Sequence, residues 1–230
     1  MKTLGLIAGT TWHSTIDYYR LINQKTADIL GDLNSAQLLM YSVNFEGFRP
    51  PVNPDEWGDL CKKFTAIAQN LEKGGADCIV FCANTPHMVA DDVAKQINIP
   101  IIHIAEAVAD EIIARKIKKV ALLGTRITME QDFFKNKLYQ RDIEVLIPNE
   151  AERQYLHNTI FEELGKGIFT AETKAKFITL INGLIAQGAE GVILGCTEFP
   201  ILIKQEDCAV PTFDTTAIHA SAAVKFALGL

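Results

Sequence analysis

The sequence predicts an α/β fold of two pseudosymmetric, doubly wound lobes, each built on a parallel sheet. Three observations carry that expectation. Short β-branched or Leu-rich runs alternate with longer stretches of helical period, the pattern of a parallel sheet flanked by helices. Most of the runs are too apolar to leave one face in water. The chain also repeats itself: Gly75-Ala76-Asp77-Cys78-Ile79-Val80-Phe81 echoes Gly188-Ala189-Glu190-Gly191-Val192-Ile193-Leu194 at a constant offset of 113 residues. A weaker echo pairs Ile7-Ala8-Gly9-Thr10 with Leu122-Leu123-Gly124-Thr125. Ligands of such sheets bind beyond the carboxyl ends of the strands, so two related halves are expected to enclose one site in the cleft between them.

The strands expected in order are residues 3–8, 37–43, 78–81, 99–102, 119–123, 144–146 and 191–194. Between them, Trp57, Leu60, Phe64, Ile67 and Leu71 recur at spacings of three and four, which places them on one helix face. Phe177, Ile181, Leu184 and Ile185 do the same later in the chain. Gly74-Gly75 and Gly188 follow these two periodic stretches as stop signals. The expected first lobe spans residues 1–98 and takes back 212–230; the second spans 99–211.

Composition removes several function classes. With 22 Lys and Arg against 28 Asp and Glu, the 230-residue chain has a net charge of -6, so its surface as a whole repels phosphate backbones and anionic membranes. Nucleic acid and membrane are not expected partners. The apolar run near the start, residues 4–9, is far shorter than the ~20 residues a membrane helix needs, and a cytoplasmic location is expected. Five cysteines with no secretion signal argue for free thiols rather than a disulfide framework. No Cys-x-x-Cys pair occurs and the histidines are scattered singly, so no metal site is expected.

Directly after the echoed strands stand Cys82-Ala83-Asn84-Thr85-Pro86-His87 and Gly195-Cys196-Thr197-Glu198-Phe199-Pro200. A thiol among small polar residues at a strand-to-helix turn suits catalysis. Unpaired N–H groups at the helix start hold a carboxylate and lower a thiol's pKa. The competing reading is that Cys196 is a small buried residue at a strand end, as free cysteines often are.

The opening Lys2-Thr3-Leu4-Gly5-Leu6-Ile7-Ala8-Gly9-Thr10-Thr11-Trp12, the segment Ser14-Thr15-Ile16-Asp17-Tyr18-Tyr19, Asn84-Thr85-Pro86-His87 and Gly195-Cys196-Thr197-Glu198 together resemble the aspartate/glutamate racemase family. Leu123-Gly124-Thr125-Arg126-Ile127-Thr128-Met129 and Phe213-Asp214-Thr215-Thr216-Ala217-Ile218-His219 extend the resemblance over essentially the whole chain. It implies a cofactor-independent racemase of two lobes, usually a homodimer, that needs neither pyridoxal phosphate nor metal. In such racemases a thiolate takes the Cα proton from one face of the substrate while a thiol returns a proton to the other. The implied substrate is a dicarboxylic amino acid, aspartate or glutamate.

The resemblance makes Cys196 the expected catalytic thiol. The 113-residue offset places Ala83, not Cys82, opposite it, whereas the family's first thiol normally stands immediately before the Asn-Thr pair. Side chains alternate along a strand, so Cys82 starts on the face away from the site, and only a local twist would return it as the second thiol. Thr85, His87 or an ordered water are the other candidate proton carriers; His87 can equally cap or pack the following helix. By resemblance Thr10, Asn84, Thr85, Pro86, Thr125 and Thr197 line the substrate pocket, while any single threonine can also be a turn or cap residue. A distal carboxylate calls for a cation. Arg49 is the only arginine between Arg20 and Arg115, and Lys166 is similar in position to a lysine the family uses. Asn53 and Pro54 stand where some relatives carry basic residues. Glu198 either orients the substrate ammonium, tunes Cys196, or serves as a first-turn helix acid. Two alternatives stay open: a single-thiol decarboxylase or stereospecific variant, and an amino-acid-binding protein with impaired turnover.

Overall fold

Apolar runs and helical stretches alternate along the chain in the computed structural model, which describes residues 1–51, 53 and 56–230; Pro54 lies outside the described residues. The elements are β1 (Leu4–Ala8), α1 (Trp12–Leu30), β2 (Leu38–Ser42), α2 (Trp57–Lys73), β3 (Cys78–Phe81), α3 (Ala90–Ala94), α4 (Ile104–Ala114) and β4 (Lys119–Gly124). They continue with α5 (Arg126–Glu130), α6 (Asp132–Tyr139), β5 (Glu144–Leu146), α7 (Glu150–Glu162), α8 (Ala171–Ala186), β6 (Gly191–Gly195), α9 (Phe199–Leu202), β7 (Thr212–Asp214) and α10 (Thr215–Leu228). The chain divides into two units, Met1–Ile104 with Thr216–Leu230, and Ala105–Thr215. Both divisions fall a few residues later than the sequence suggests.

The first unit holds a parallel sheet in the order β2-β1-β3, with Ile7 of β1 opposite Phe81 of β3. The pleat sorts its side chains. Ile7, Ile79 and Phe81 turn to one face and bury Leu60, Phe64, Ile67, Ala68 and Leu71 of α2. Leu4, Leu6, Ala8, Cys78, Val80 and Cys82 turn to the other, against Tyr18 and Ile22 of α1 and Ala220, Ala223, Val224 and Ala227 of α10. The α2 face is the one its spacing predicts, with Trp57 only partly covered.

The second unit holds a parallel sheet in the order β5-β4-β6-β7, with Gly124 opposite Gly195. Ala121, Leu123, Val192 and Leu194 pack on Leu156 and Ile160 of α7 and on Phe177, Leu180, Ile181 and Leu184 of α8. The repeat seen in the sequence has a backbone counterpart. Gly75 and Gly188, at matching places after α2 and α8, take φ of 95° and 99°, a conformation glycine adopts without strain.

Two strand expectations change. Residues 99–102 make only an isolated bridge, Ile79 to Ile101, because Pro100 has no N–H to extend a ladder; its carbonyl accepts from Ile79 N instead. Conversely, β7 pairs with β6 although Thr212 and Asp214 interrupt any apolar run. No helix among the described residues is long and apolar enough to cross a membrane.

Candidate active site

Every residue of β6 is buried, and the strand delivers the chain at Gly195 to a turn where Cys196 and Thr197 regain partial exposure. Cys196 lies on the Val192 and Leu194 face and packs partly against that core. Its Sγ–H donates to Glu198 Oε2 across 2.9 Å, and Thr197 Oγ1–H donates to the same oxygen across 2.8 Å. Glu198 itself is buried. Two donors thus converge on one carboxylate oxygen at the end of a buried strand.

The electrostatics differ from the sequence expectation of a thiol made acidic by a helix start. The Cys196 pKa is raised well above its ordinary value, first by burial and then by the negative charge of Glu198 and its hydrogen bond. Backbone N–H groups of Glu198 and Thr197 pull the other way and do not prevail. At rest the sulfur is therefore a thiol, with its proton aimed at an acceptor.

In the same unit, the Gly124–Gly195 pairing brings Thr125 to the neighbouring strand end. Thr125 caps α5, its Oγ1 accepting from Thr128 N at 3.2 Å. Arg126, the next residue, is engaged with Glu130, which also accepts from Arg153 Nε at 2.9 Å. Lys166 closes a short 3-10 turn, is exposed, and makes no ion pair among the described residues.

The first unit presents the matching loops. Ala83 is partly exposed after β3, at the position that Cys196 takes after β6. Asn84 is buried, Thr85 is partly exposed, and Pro86 and His87 are buried in the 3-10 helix Thr85–Val89. Thr10, after β1, is buried, and its Oγ1 has no hydrogen-bond partner among the described residues. Ser14 fastens the two loops, its Oγ–H donating to Cys82 O across 2.9 Å, while Thr15 braces the first loop internally, its Oγ1 accepting from Gly9 N at 2.9 Å. Sequence reasoning gave Ser14 and Thr15 no role, although both lie in a segment it singled out.

Cys82 departs from its place as a second thiol. It is fully buried among the Leu4, Leu6 and Tyr18 cluster, with Sγ turned back toward Val80 O at 3.9 Å. Burial alone pushes its pKa far up. The strand end carries no twist that reverses the alternation. Arg49 is an exposed residue whose guanidinium pairs with Glu46 Oε2 at 2.9 Å, so its charge is already engaged locally. Among the described residues no group of three or more metal-ligating side chains occurs.

Residues 7–223 match the family described as Asp/Glu/Hydantoin racemase. A crystal structure from Yersinia pestis, provisionally described as an Asp/Glu racemase, superposes with a TM-score of 0.94 at 44% identity and covers 99% of this chain and 100% of that one. An aspartate racemase homologue from Pyrococcus horikoshii OT3 gives 0.88 at 40% identity, covering 99% and 100%. The broad specificity amino-acid racemase RacX of Bacillus subtilis (strain 168) is 26% identical over 230 residues, 96% of each chain.

Proposed function

The chain belongs to the Asp/Glu/Hydantoin racemase family and is an isomerase, and from that premise we propose that it racemises an acidic amino acid, aspartate or glutamate, through Cys196. The observation that carries the reading is the thiol-to-carboxylate contact of 2.9 Å at the end of β6. Glu198 accepts the Cys196 proton. The thiolate so formed takes the Cα proton of the substrate, which restores the S–H bond and leaves the electron pair on an enediolate of the α-carboxylate. In the second unit, hydroxyl and amide donors of the Thr125 and Thr197 turns stabilise that charge. In the first unit, the Thr10 and Asn84–Thr85 turns offer donors that bind the substrate's carboxylate and amino groups. Lys166, an ammonium with no partner among the described residues, is the better cation for a distal carboxylate; Arg49 would first have to leave Glu46.

A second reading is favoured by one observation: Ala83 stands where Cys196 has its repeat partner, and Cys82 is sealed in the core. With one thiol, the second proton comes from water or another carrier, or the enzyme acts on one face only. A decarboxylase of a malonate-like diacid belongs to this second reading. The assembly we propose is a homodimer, to be read from sedimentation equilibrium.

The test follows D- and L-aspartate and D- and L-glutamate in deuterated water by optical rotation and by the Cα proton signal. Racemisation with exchange supports the first reading, and exchange without inversion supports the second. Cys196→Ser is expected to remove both signals, a loss of at least about a hundredfold in kcat for a proton-transfer group. Undiminished exchange in that variant would sink both readings.

A further inference from the structure

The segment Phe213-Asp214-Thr215-Thr216-Ala217-Ile218-His219 ends in a histidine for which the mechanism above has no use. His219 lies on α10 and is fully buried. Its Nε2 is 2.6 Å from the carbonyl oxygen of Ile102, and its Nδ1 is 2.7 Å from the hydroxyl of Tyr18 on α1. A carbonyl oxygen only accepts, so Nε2 carries the proton and Nδ1 accepts from Tyr18 O–H. The ring is thereby a neutral imidazole in one tautomer, held at both ends. Burial acts in the same direction, lowering its pKa to about 4.

The ring also has a packing partner that leads to the candidate site. His87 stacks edge-on to His219 with centroids 5.2 Å apart, and it touches His103 at 4.6 Å and Phe81 at 5.4 Å. His87 N donates to Asn84 O at 3.1 Å, closing the turn that contains Asn84 and Thr85. A continuous path of packed rings therefore runs from α10 to the underside of that turn, all within the first unit.

We propose that His219 is a positioning residue for the Asn84–Thr85 turn: pinned between Ile102 and Tyr18, its ring backs His87 and sets where the turn's polar groups stand. The proposal rests on the reading that this turn meets the substrate. Its effect is on binding geometry, not on proton transfer. Asn84 and Thr85 would contact the substrate in ground and transition states alike, so loosening them raises KM more than it lowers kcat.

The test uses three variants of the full chain. His219→Phe keeps a ring but offers nothing to Ile102 or Tyr18. His219→Gln keeps a donor and an acceptor. Tyr18→Phe removes the hydroxyl that holds Nδ1 and serves if His219→Phe does not fold. The expected result for His219→Phe is a KM raised on the order of tenfold, with a smaller change in kcat, since the Ile102 carbonyl and Tyr18 hydroxyl lose their partner and the ring no longer fixes His87. His219→Gln is expected to recover most of the wild-type KM. Independently of turnover, the Thr85 backbone amide and Asn84 side-chain amide resonances should move in His219→Phe and Tyr18→Phe, and less in His219→Gln. If those resonances move while no acidic amino acid is turned over by wild type, the positioning role stands and the substrate reading fails. If they stay in place while only thermal stability falls, His219 is a packing residue and the proposal is overturned.

Discussion

Cys196 and Glu198 behave as one group. The carboxylate that receives the thiol's hydrogen bond also raises its pKa, so removing the charge has two opposed effects. Glu198→Gln should leave a thiol that titrates lower than in wild type but has no internal base to take its proton. We expect kcat to drop about 10²–10³-fold, within the range of lost general-base help, and the residual rate to keep rising with pH as free thiolate forms. The pH profile of kcat/KM, set beside the pH dependence of alkylation at Cys196, checks both parts. Cys82 calls for the reverse outcome. Its sulfur touches only core, so Cys82→Ala should leave Cα proton exchange within about twofold and cost on the order of 1 kcal/mol in urea unfolding, a small-cavity effect. What was legible at this scale is where the thiol stands, at the turn after β6, because motif and register agree at Cys196. The raised pKa was not, because burial and the carboxylate's direction depend on how the turn folds.

Strands and helices show which parts of the pattern were decisive. A parallel strand buried on both faces has no polar alternation to read, yet its register still decides what each residue does. In β3 and the residue after it, Ile79 and Phe81 go with α2 while Cys78, Val80 and Cys82 go with α1 and α10, and this parity alone separates Cys82 from Ala83. Helix α2 was readable from spacing because one face is apolar and the other solvated. The bridge at Ile101 and strand β7 were not, since a proline and two polar residues obscure short pairings that neighbouring strands complete. Phe64 is the centre of the α2 contact, with Phe48 and Phe81 rings at 5.1 and 5.4 Å. Phe64→Ala should destabilise the protein by about 3–5 kcal/mol, visible as a lower urea midpoint.

Across the whole molecule, the internal echo was the most informative signal, for it pairs the two strand-end turns and sets Gly75 and Gly188 at equivalent places, where the structure gives both a positive φ. Acid sensitivity is another property of the whole. His219 is faced by Tyr18 of α1, His87 after β3 and His103 ahead of α4, none of which supplies a negative charge to welcome a proton. Its pKa is about 4 in the folded protein and near 6.5 once exposed, so the unfolded chain binds the extra proton first. The stability it contributes is complete above about pH 6.5 and is lost as pH falls toward 4, on the order of 3 kcal/mol in total. Urea midpoints measured across that interval should decline, and His219→Gln should flatten the decline.

The first unit is discontinuous, drawing α10 from the far end of the chain, whereas Ala105–Thr215 is contiguous. Leu4, Leu6 and Val80 are therefore synthesised long before the Ala220, Ala223 and Val224 that cover them, with the whole contiguous unit made in between. Until that helix arrives, a nascent chain carries a bare apolar face, which is where a chaperone would bind.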